Sequence, residues 1–233
     1  MVVNMKEIDN LHESGNYSKC YEILKKTVES EPQNVEALWR FARACHNLSS
    51  GYDQKNAKRK ELVVEGHKVA VEAYNIDPKT KNFPVVKWVA VLTGGLTEYL
   101  GTKQKIEEGY KFKAYLDHGL TLDPTEYSLL HMRGRFKFSV ANLSWLERKA
   151  ASAFFASPPT ATIDEALEDF LEVEKLKPVS WIDNLIYVAR CYLAKSNKQE
   201  AAKYLKQAQT VKAEDESDAE ALQEVEKLLK TCK

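Results

Sequence analysis

Four prolines, each at the end of an amphipathic segment, constrain the fold of this chain more than any other feature. They close the stretches ESEP, NIDP, TLDP and KLKP at Pro32, Pro78, Pro124 and Pro178. Proline ends a helix because it has no backbone N–H and disfavours helical geometry in the residue before it. The sequence therefore predicts a series of helical segments, each stopped at one of these prolines.

The residues that precede each proline recur at similar offsets, which indicates an internal repeat. The fit is sharpest before Pro178, where Ala166, Phe170 and Val173 place small and large apolar side chains on one helix face. The matching positions before the other prolines are Gly15, Tyr17, Cys20, Leu24 and Thr27; Gly66, Ala70 and Ala73; and Phe112, Leu116 and Gly119. Tetratricopeptide repeats, which end units of about 34 residues with a proline, have this pattern. The sequence therefore predicts a tetratricopeptide-like fold.

The C-terminal part of the chain repeats the pattern without a closing proline. Its apolar residues follow the spacing i, i+3, i+4, i+7 of amphipathic helices on both sides of a turn at residues 196–198. The first helix face contains Leu185, Val188, Ala189 and Tyr192, and the second contains Ala201, Leu205 and Ala208. From the acidic segment AEDESDAEALQEVEKLLK we predict a capping helix over residues 217–231 with a solvated outer face.

The intervals between the prolines are 46, 46 and 54 residues, longer than a plain repeat. We therefore expect insertions in the second to fourth units, among them SSGYDQKNAKRKEL and LSWLERKAASAFFASPPTAT, on the binding face of the array. The predicted fold is all-α: a single-domain tetratricopeptide-like superhelix of about five helix pairs, with lengthened helices and the capping helix. The approximate repeats cover residues 1–33, 34–78, 79–124, 125–178 and 179–213.

Composition and charge exclude some partners. Of the 233 residues, 44% are hydrophobic and 29% charged, which is typical of a globular protein. The formal net charge is zero, so the chain is not a polycation, and we expect no nucleic-acid partner. The charge is uneven, at −2 over residues 1–54, +6 over 55–149 and −4 over 150–233. Such an imbalance usually reflects differently solvated faces, and it indicates a partner-binding surface only if the charges cluster in space.

Neither a targeting sequence nor a transmembrane segment is predicted. The start MVVNMKEIDN lacks the apolar core of a signal peptide and the arginine-rich character of a transit peptide. The longest apolar run, VVKWVAVLTGGL, is shorter than the roughly 20 residues that span a bilayer. The cysteines lack metal or disulfide spacing, and Cys20, Cys45 and Cys191 fall in helix-packing positions. We therefore expect a cytoplasmic protein with reduced thiols.

No catalytic motif is present in the sequence. There is no nucleophile elbow, zinc-protease motif, phosphate loop or dinucleotide fingerprint, and the five histidines are scattered singly. Gly94 and Gly95 lie in a helical pattern and indicate a helix kink or a close helix contact. We predict a non-enzymatic protein without a metal or cofactor. Met5 and Asp9 occupy first-unit positions where a chaperone-tail clamp has lysine and asparagine, which disfavours that kind of site.

Several motifs resemble the regulator of microtubule dynamics family. They are HMRGRF at residues 131–136, WLERK at 145–149, ASPP at 156–159 and EALE at 165–168, and the similarity extends across nearly the whole chain. The resemblance implies a cytoplasmic protein associated with microtubules, the spindle and spindle poles, which acts in chromosome segregation. Some members have an N-terminal membrane anchor or mitochondrial presequence, and their repeat domain can hold phospholipid at organelle contacts. We expect no such extension here, which disfavours a membrane role.

The first functional hypothesis is a microtubule-associated scaffold. Tubulin surfaces are acidic, so the contact needs clustered basic side chains, and such a complex weakens as salt is added. The cations at positions 133, 135 and 137 alternate by two and cannot all share one helix face. The candidate contact residues are Lys55, Lys58, Arg59, Lys60, Arg133, Arg135, Lys137, Arg148 and Lys149.

The alternative hypotheses are a phospholipid or amphipathic-ligand site and a peptide-binding adaptor. Most aromatic side chains of the third and fourth units are interpreted as core, so a lipid site requires an open groove. The candidate groove residues are Trp88, Phe136, Trp145, Phe154 and Phe155. An adaptor would bind other proteins through the concave groove of the repeats. Ser157, which precedes Pro158, is a candidate phosphorylation site, although turn chemistry also explains this pair.

Overall fold

The structure of the chain, a computed structural model, describes residues 3–154, 159–214 and 216–232. These residues form twelve α-helices and a 3-10 turn at Thr97–Tyr99, and none of them lies in a strand. The first six helices are α1 (Met5–Glu13), α2 (Tyr17–Ser30), α3 (Val35–Ser50), α4 (Ala57–Ile76), α5 (Phe83–Leu96) and α6 (Thr102–Leu122). The other six are α7 (Tyr127–Ala141), α8 (Trp145–Phe154), α9 (Ile163–Leu176), α10 (Ile182–Ala194), α11 (Lys198–Ala208) and α12 (Glu216–Thr231). The predicted all-α class is confirmed.

Each of the four prolines follows the end of a helix, as predicted. The helices that stop two residues before a proline are α2, α4, α6 and α9, at Ser30, Ile76, Leu122 and Leu176. The lengthened helices are also confirmed: α4 has 20 residues and α6 has 21, whereas α2 has 14. The first predicted insertion, residues 49–62, covers the end of α3, the loop of residues 51–56 and the first turns of α4.

Polar caps begin several of the helices, because the first N–H groups of a helix have no partner within it. The side chain of Asn34 accepts a hydrogen bond from the backbone N–H of Ala37 at the start of α3. Thr162 and Glu165 form a reciprocal capping box at the start of α9. These local contacts define where α3 and α9 begin.

The described residues form two compact units, divided between Leu122 and Asp123. In the first unit consecutive helices from α1 to α6 pack against one another, and α3 also contacts α1 and α5. Its core includes Leu24, Phe41 and Cys45, which are almost completely buried. A Cβ atom at Gly66 would lie 2.8 Å from the Cβ of Cys45. Glycine at this position therefore permits the close approach of α4 to α3.

In the second unit α7 packs against α9, and α8 lies between these two helices in the sequence. The close contact of α7 and α9 depends on Gly134, where an added Cβ would lie 2.7 Å from Cε1 of Phe170. The helix α8 belongs to the predicted insertion, and its first two side chains are highly exposed, Trp145 at 69% and Leu146 at 70%. Residues 155–158 of that insertion, including Ser157, lie outside the described residues.

The capping helix is present as α12, which begins at Glu216 and packs against α10 and α11. Val225 is completely buried in a cluster with Leu185 and Leu205 from those two helices. The helix therefore covers an apolar face that the last pair would otherwise expose to water. The precise repeat boundaries and the single-domain assignment stay predictions.

A strained residue lies in the turn between α9 and α10. Val179 has a φ of 47°, in the left-handed region, which costs an L-residue about 1–2 kcal/mol and is rare for a β-branched side chain. Its backbone N–H donates to Oε1 of Glu174, so replacement of the side chain leaves this bond in place. We expect Val179→Gly to raise the free energy of unfolding by about 1 kcal/mol in urea denaturation, after the entropic cost of glycine.

Ser180→Gly provides the control for this prediction, because Ser180 is not among the positive-φ residues of the described chain. Its hydroxyl donates to the carbonyl of Lys177, so we expect this variant to be slightly less stable than the wild type. Equal stability of Val179→Gly and the wild type would show that the turn is not strained.

Candidate functional site

The predicted cations of the first unit cluster at the N-terminal end of α4. Lys55, Lys58 and Lys60 are exposed, and Arg59 is half-buried, with its guanidinium donating to the carbonyl of Tyr52 at 3.0 Å. Lys58 forms an ion pair with the exposed Glu61 at 3.1 Å. Lys55 and Lys60 form no ion pair within the part of the chain that the structure describes. We name these four cations, Lys55, Lys58, Arg59 and Lys60, the α4 basic cluster.

Two of the predicted cations of the second unit contact one buried carboxylate. Arg133 donates to Asp169 through Nε at 3.0 Å and Nη2 at 2.7 Å, and Nζ of Lys137 lies 2.8 Å from the same group. The Asp169 side chain is 6% exposed. The negative charge of Asp169 is thus matched by neighbouring cations, and Arg133 and Lys137 contribute to the packing of α7 on α9.

Arg135 lies apart from these two residues, in agreement with the two-residue alternation along α7. Its Nη1 is 3.7 Å from Oδ2 of Asp183 on α10, and its Cζ is 5.2 Å from the ring centroid of Tyr187. Arg135 therefore faces α10, whereas Arg133 and Lys137 face α9. The structure does not bring the three cations of α7 into one site.

The two predicted cations of α8 make local contacts. Arg148 donates to the carbonyl oxygens of Val140, Ala141 and Leu143 at 2.9–3.2 Å, at the C-terminal end of α7. The last carbonyl groups of a helix have no partner within the helix and carry a partial negative charge, so a cation is favoured beside them. Lys149 is placed over the Trp145 ring, with Nζ 5.0 Å from the centroid. Arg148 thus holds the α7–α8 turn, and only Lys149 remains beside the exposed apolar end of α8.

The structure describes only some of the predicted groove residues. Trp88 belongs to the first unit, and its ring is tilted by 51° against that of His46, with the ring centroids 5.4 Å apart. In the second unit Phe136 is half-buried and Trp145 is exposed. The side chain of Phe154 and all of Phe155 lie outside the described residues. The lipid groove therefore stays a prediction.

Sequence reasoning missed a charged cluster on the first helices of the first unit. Two guanidiniums lie close to the ring of Trp39, with the Cζ of Arg40 4.1 Å and the Cζ of Arg43 5.1 Å from its centroid. Asp9 accepts from Arg40 at 2.7 and 3.0 Å and from Arg43 at 2.7 Å. The hydrogen bonds from Arg40, more than any other contact, hold the pKa of Asp9 below its ordinary value. Because Arg40 and Arg43 are only 11% and 14% exposed, this cluster is chiefly part of the packing of α1 on α3.

A related cluster of the second unit is more exposed. Two guanidiniums lie close to the ring of Tyr187, with the Cζ of Arg135 5.2 Å and the Cζ of Arg190 4.7 Å from its centroid. Arg190 also donates to Glu224 on α12 at 2.5 Å. The pairs Asp9–Arg43 and Arg190–Glu224 are each 34 residues apart in sequence, which is one repeat length. The shared spacing of one repeat length is the only signal in the sequence that relates these two ion pairs, and it does not by itself single them out.

Neither a metal site nor a membrane span emerges from the described residues. They contain no group of three or more histidine, cysteine or acidic side chains that is arranged to hold a metal ion. Burial raises the pKa of Cys191 to about 12, so this thiol is a core side chain, as predicted. None of the described helices combines the length and apolar character that are needed to cross a bilayer.

The comparison with known proteins identifies the family. The model of the family described as regulator of microtubule dynamics protein 1-3 matches residues 4–233. Regulator of microtubule dynamics protein 1 of Caenorhabditis elegans is 41% identical over 224 residues, which cover 96% of this chain and 97% of that protein. The chain belongs to the regulator of microtubule dynamics family. The resemblance of the sequence motifs is thereby confirmed.

Members of the regulator of microtubule dynamics family differ in length. Regulator of microtubule dynamics protein 2 of Homo sapiens is 33% identical, and the match covers 99% of this chain but 56% of the human protein. Regulator of microtubule dynamics protein 1 of Bos taurus is 31% identical, and the match covers 97% of this chain and 70% of the bovine protein. The chain thus spans nearly all of the nematode relative and little more than half of the human one.

Solved structures establish the fold of this family member. The tetratricopeptide protein TTC0263 of Thermus thermophilus matches with a TM-score of 0.56 at 14% identity, over 98% of this chain and 96% of that one. YrrB, described as a tetratricopeptide protein with an unusual peptide-binding site, matches with a TM-score of 0.51 at 15% identity, over 94% and 90% of the two chains. The predicted tetratricopeptide-like fold is confirmed.

Proposed function

We propose that this chain is a non-enzymatic scaffold that binds microtubules through the α4 basic cluster. The relatives that it matches are named regulators of microtubule dynamics. The observation that carries the proposal is the exposure of Lys55, Lys58 and Lys60 at one end of one helix. An acidic protein surface is the partner that such a cluster fits.

The position of the α4 basic cluster is unfavourable for the isolated protein. The N-terminal end of a helix already carries a partial positive charge, and acidic side chains are normally favoured there. The first turn of α4 contains no acidic residue and contains Lys58, Arg59 and Lys60. A bound anionic surface would relieve both the repulsion among these cations and their conflict with the helix dipole. Most predicted cations of the second unit have no such unrelieved repulsion, because their charges contact carboxylates or carbonyl oxygens within the unit.

We also propose the setting in which this activity takes place. We expect the protein to act in the cytoplasm, on the cytoskeleton, at the spindle and its poles, during chromosome segregation. A fluorescent fusion of the full chain in dividing cells tests this, and its exclusion from the spindle would contradict it.

A triple charge reversal tests the microtubule contact. We expect Lys55→Glu, Lys58→Glu and Lys60→Glu together to weaken co-sedimentation with stabilised microtubules about tenfold in Kd, equivalent to about 1.4 kcal/mol. We expect wild-type binding to fall steeply as the ionic strength is raised from low to physiological values, because exposed charges are screened. The salt dependence of the triple variant should be shallower, since it has lost the interacting charges.

The matched control reverses three exposed lysines of the second unit, Lys175, Lys203 and Lys206, all to Glu. This control changes the net charge by the same amount at a different place. If it weakens microtubule binding as much as the α4 triple variant, the contact depends on overall charge and the proposed site is wrong. If neither triple variant loses binding, the electrostatic contact itself is wrong.

A second candidate function, phospholipid binding, is supported by the end of α8. Trp145 and Leu146 are about 70% exposed and lie beside Lys149, a combination typical of helices at a lipid interface. Anionic liposomes in the same sedimentation assay test it: pelleting that Trp145→Ser with Leu146→Ser abolishes would support this function. Liposome binding that survives this double variant would contradict it.

A further inference from the structure

The loop between α3 and α4, residues 51–56, contacts the 3-10 turn at Thr97–Tyr99. Nε2 of Gln54 donates to Oε2 of Glu98 at 3.2 Å, and the hydroxyl of Tyr99 donates to the carbonyl of Gln54 at 3.4 Å. These partners lie 44 and 45 residues further along the chain. One residue of the loop is therefore held through both its side chain and its backbone.

Arg59, the first-turn arginine of α4, joins the same loop to the same 3-10 turn. Its Nη1 donates to the carbonyl of Tyr52 at 3.0 Å. Arg59 also forms a hydrogen bond with Tyr99: burial raises the pKa of Tyr99, and the charge and the hydrogen bond of Arg59 oppose this rise. Arg59 is half-buried, whereas the three lysines of the α4 basic cluster are exposed. The guanidinium of Arg59 is thus engaged within the chain.

The elements on both sides of the loop are well anchored. The 3-10 turn packs against α5 and α6, and the hydroxyl of Thr97 donates to the carbonyl of Gly94 at 2.7 Å. At the other side, the side chain of Asn56 caps α4 by accepting a hydrogen bond from the backbone N–H of Lys58 at 2.8 Å. The position of Lys55, in the loop between them, therefore follows from these two elements.

Lys55 depends on these contacts more than the other two lysines of the cluster do. Lys58 and Lys60 belong to α4, so the helix backbone places them, whereas Lys55 lies in the loop. Because like charges repel, a free loop would favour conformations that move Lys55 away from α4. A free loop would also lose conformational entropy when a partner binds, which weakens the complex. The contacts of Gln54 with the 3-10 turn remove this freedom before binding.

We propose that Arg59 and Tyr99 are positioning residues of the α4 basic cluster, and that Arg59 does not itself contact the microtubule. Lys55, Lys58 and Lys60 contact the acidic partner surface. The Arg59 guanidinium and the Tyr99 hydroxyl hold the loop in the conformation that keeps Lys55 beside the other two lysines. This inference rests on the proposed microtubule contact. It adds to that contact a residue from outside α4 and gives Arg59 a role other than the one predicted from the sequence.

The first test is Tyr99→Phe, which removes one hydroxyl and no charge. We expect hydrogen–deuterium exchange at the backbone amides of residues 51–56 to become several-fold faster, because the loop loses a hydrogen bond to the 3-10 turn. The Kd for stabilised microtubules should rise about threefold. The dependence of binding on salt concentration should equal that of the wild type, because every cation is retained.

Tyr52→Phe is the matched control, with the same chemical change in the loop itself. Only the carbonyl of Tyr52 is used by Arg59, and its hydroxyl makes no hydrogen bond within the described part of the chain. We expect this variant to equal the wild type in exchange and in microtubule affinity.

The second test, Arg59→Lys, separates a positioning role from a contact. Lysine keeps the positive charge but lacks the planar fork of donors that reaches Tyr52 and Tyr99 together. A contact with an acidic surface would keep most of its attraction in this variant. We expect instead a rise of about fivefold in Kd, with faster exchange in residues 51–56. The reverse exchange at an exposed position, Lys60→Arg, should bind at least as tightly as the wild type.

The outcomes that would overturn this proposal differ from those that would overturn the microtubule contact. If Tyr99→Phe and Arg59→Lys bind microtubules like the wild type, while the triple lysine reversal loses binding, the positioning role is wrong and the contact stands. If the wild type does not bind at low ionic strength, both are wrong. Thermal unfolding is measured alongside: a lower midpoint with faster exchange throughout the first unit would show a general loss of fold and would also overturn the local role.

Discussion

Replacement of Phe170 by alanine should lower the stability of the second unit by about 3–5 kcal/mol, the range for a large aromatic side chain removed from a core. Phe170 is completely buried on α9. Its ring stacks on Tyr187 at 5.2 Å and meets His131 edge-on at 5.4 Å. The substitution therefore removes apolar contact and leaves a cavity where α7, α9 and α10 meet.

The position of Gly134 makes this cavity difficult to close. The glycine lies directly against the Phe170 ring and has no side chain that could move into the vacated space. The surrounding helices would have to shift, and partial relaxation of this kind accounts for the larger losses among such substitutions. Hydrogen–deuterium exchange should show faster exchange in α7, α9 and α10, together with a lower urea midpoint.

Leu176→Ala is the matched control, since Leu176 is on the same helix but 38% exposed. We expect it to cost less than about 1 kcal/mol. A loss from Phe170→Ala no greater than that from Leu176→Ala would mean that α9 does not pack on α7 as described.

The second large effect concerns the ion cluster between α7 and α9. Asp169→Ala should cost about 2–3 kcal/mol, because it leaves two cations beside an apolar interface without their carboxylate. The usual cost of breaking a buried ion pair is higher, at about 3–5 kcal/mol, but here Arg133 and Lys137 are 33% and 24% exposed and regain some hydration. Urea denaturation of the full chain measures the change.

Asp164→Ala separates this effect from a general loss of surface charge. Asp164 pairs with Lys195, but its side chain is 68% exposed, and exposed pairs contribute about 1 kcal/mol or less. We expect this variant to be nearly as stable as the wild type. If Asp169→Ala lowers the free energy of unfolding no more than Asp164→Ala does, the Asp169 carboxylate contributes little to the packing of α7 on α9.

The sequence predicted the fold well because its information is local. A proline stops a helix wherever it occurs, so the ends of α2, α4, α6 and α9 could be placed before any tertiary contact was known. The apolar period of the last pair likewise predicted the buried side chains Leu185, Ala189 and Leu205. The family was predicted from local motifs in the same way, and the comparisons confirm it.

The site was predicted less completely, because a cation is recognisable in a sequence but its partner is not. The α4 basic cluster is contiguous, so its members had to lie close together. The ion pairs of Arg133 and Lys137 depend on Asp169, which is 36 residues from Arg133 along the chain. Nothing local distinguishes these internal pairs from exposed charges.

The sequence by itself determined the helical class, the points at which helices stop, the capping helix and the family. The tertiary structure alone decided which charges are neutralised, since this depends on how α7, α9 and α10 approach one another. In the folded chain Arg133 pairs with Asp169, and Arg148 donates to the carbonyl oxygens at the end of α7. The three lysines of the α4 basic cluster stay exposed to solvent. The physical reason is range: helix stops and periodicity act within a few residues, whereas electrostatic pairing acts between residues that only folding brings together.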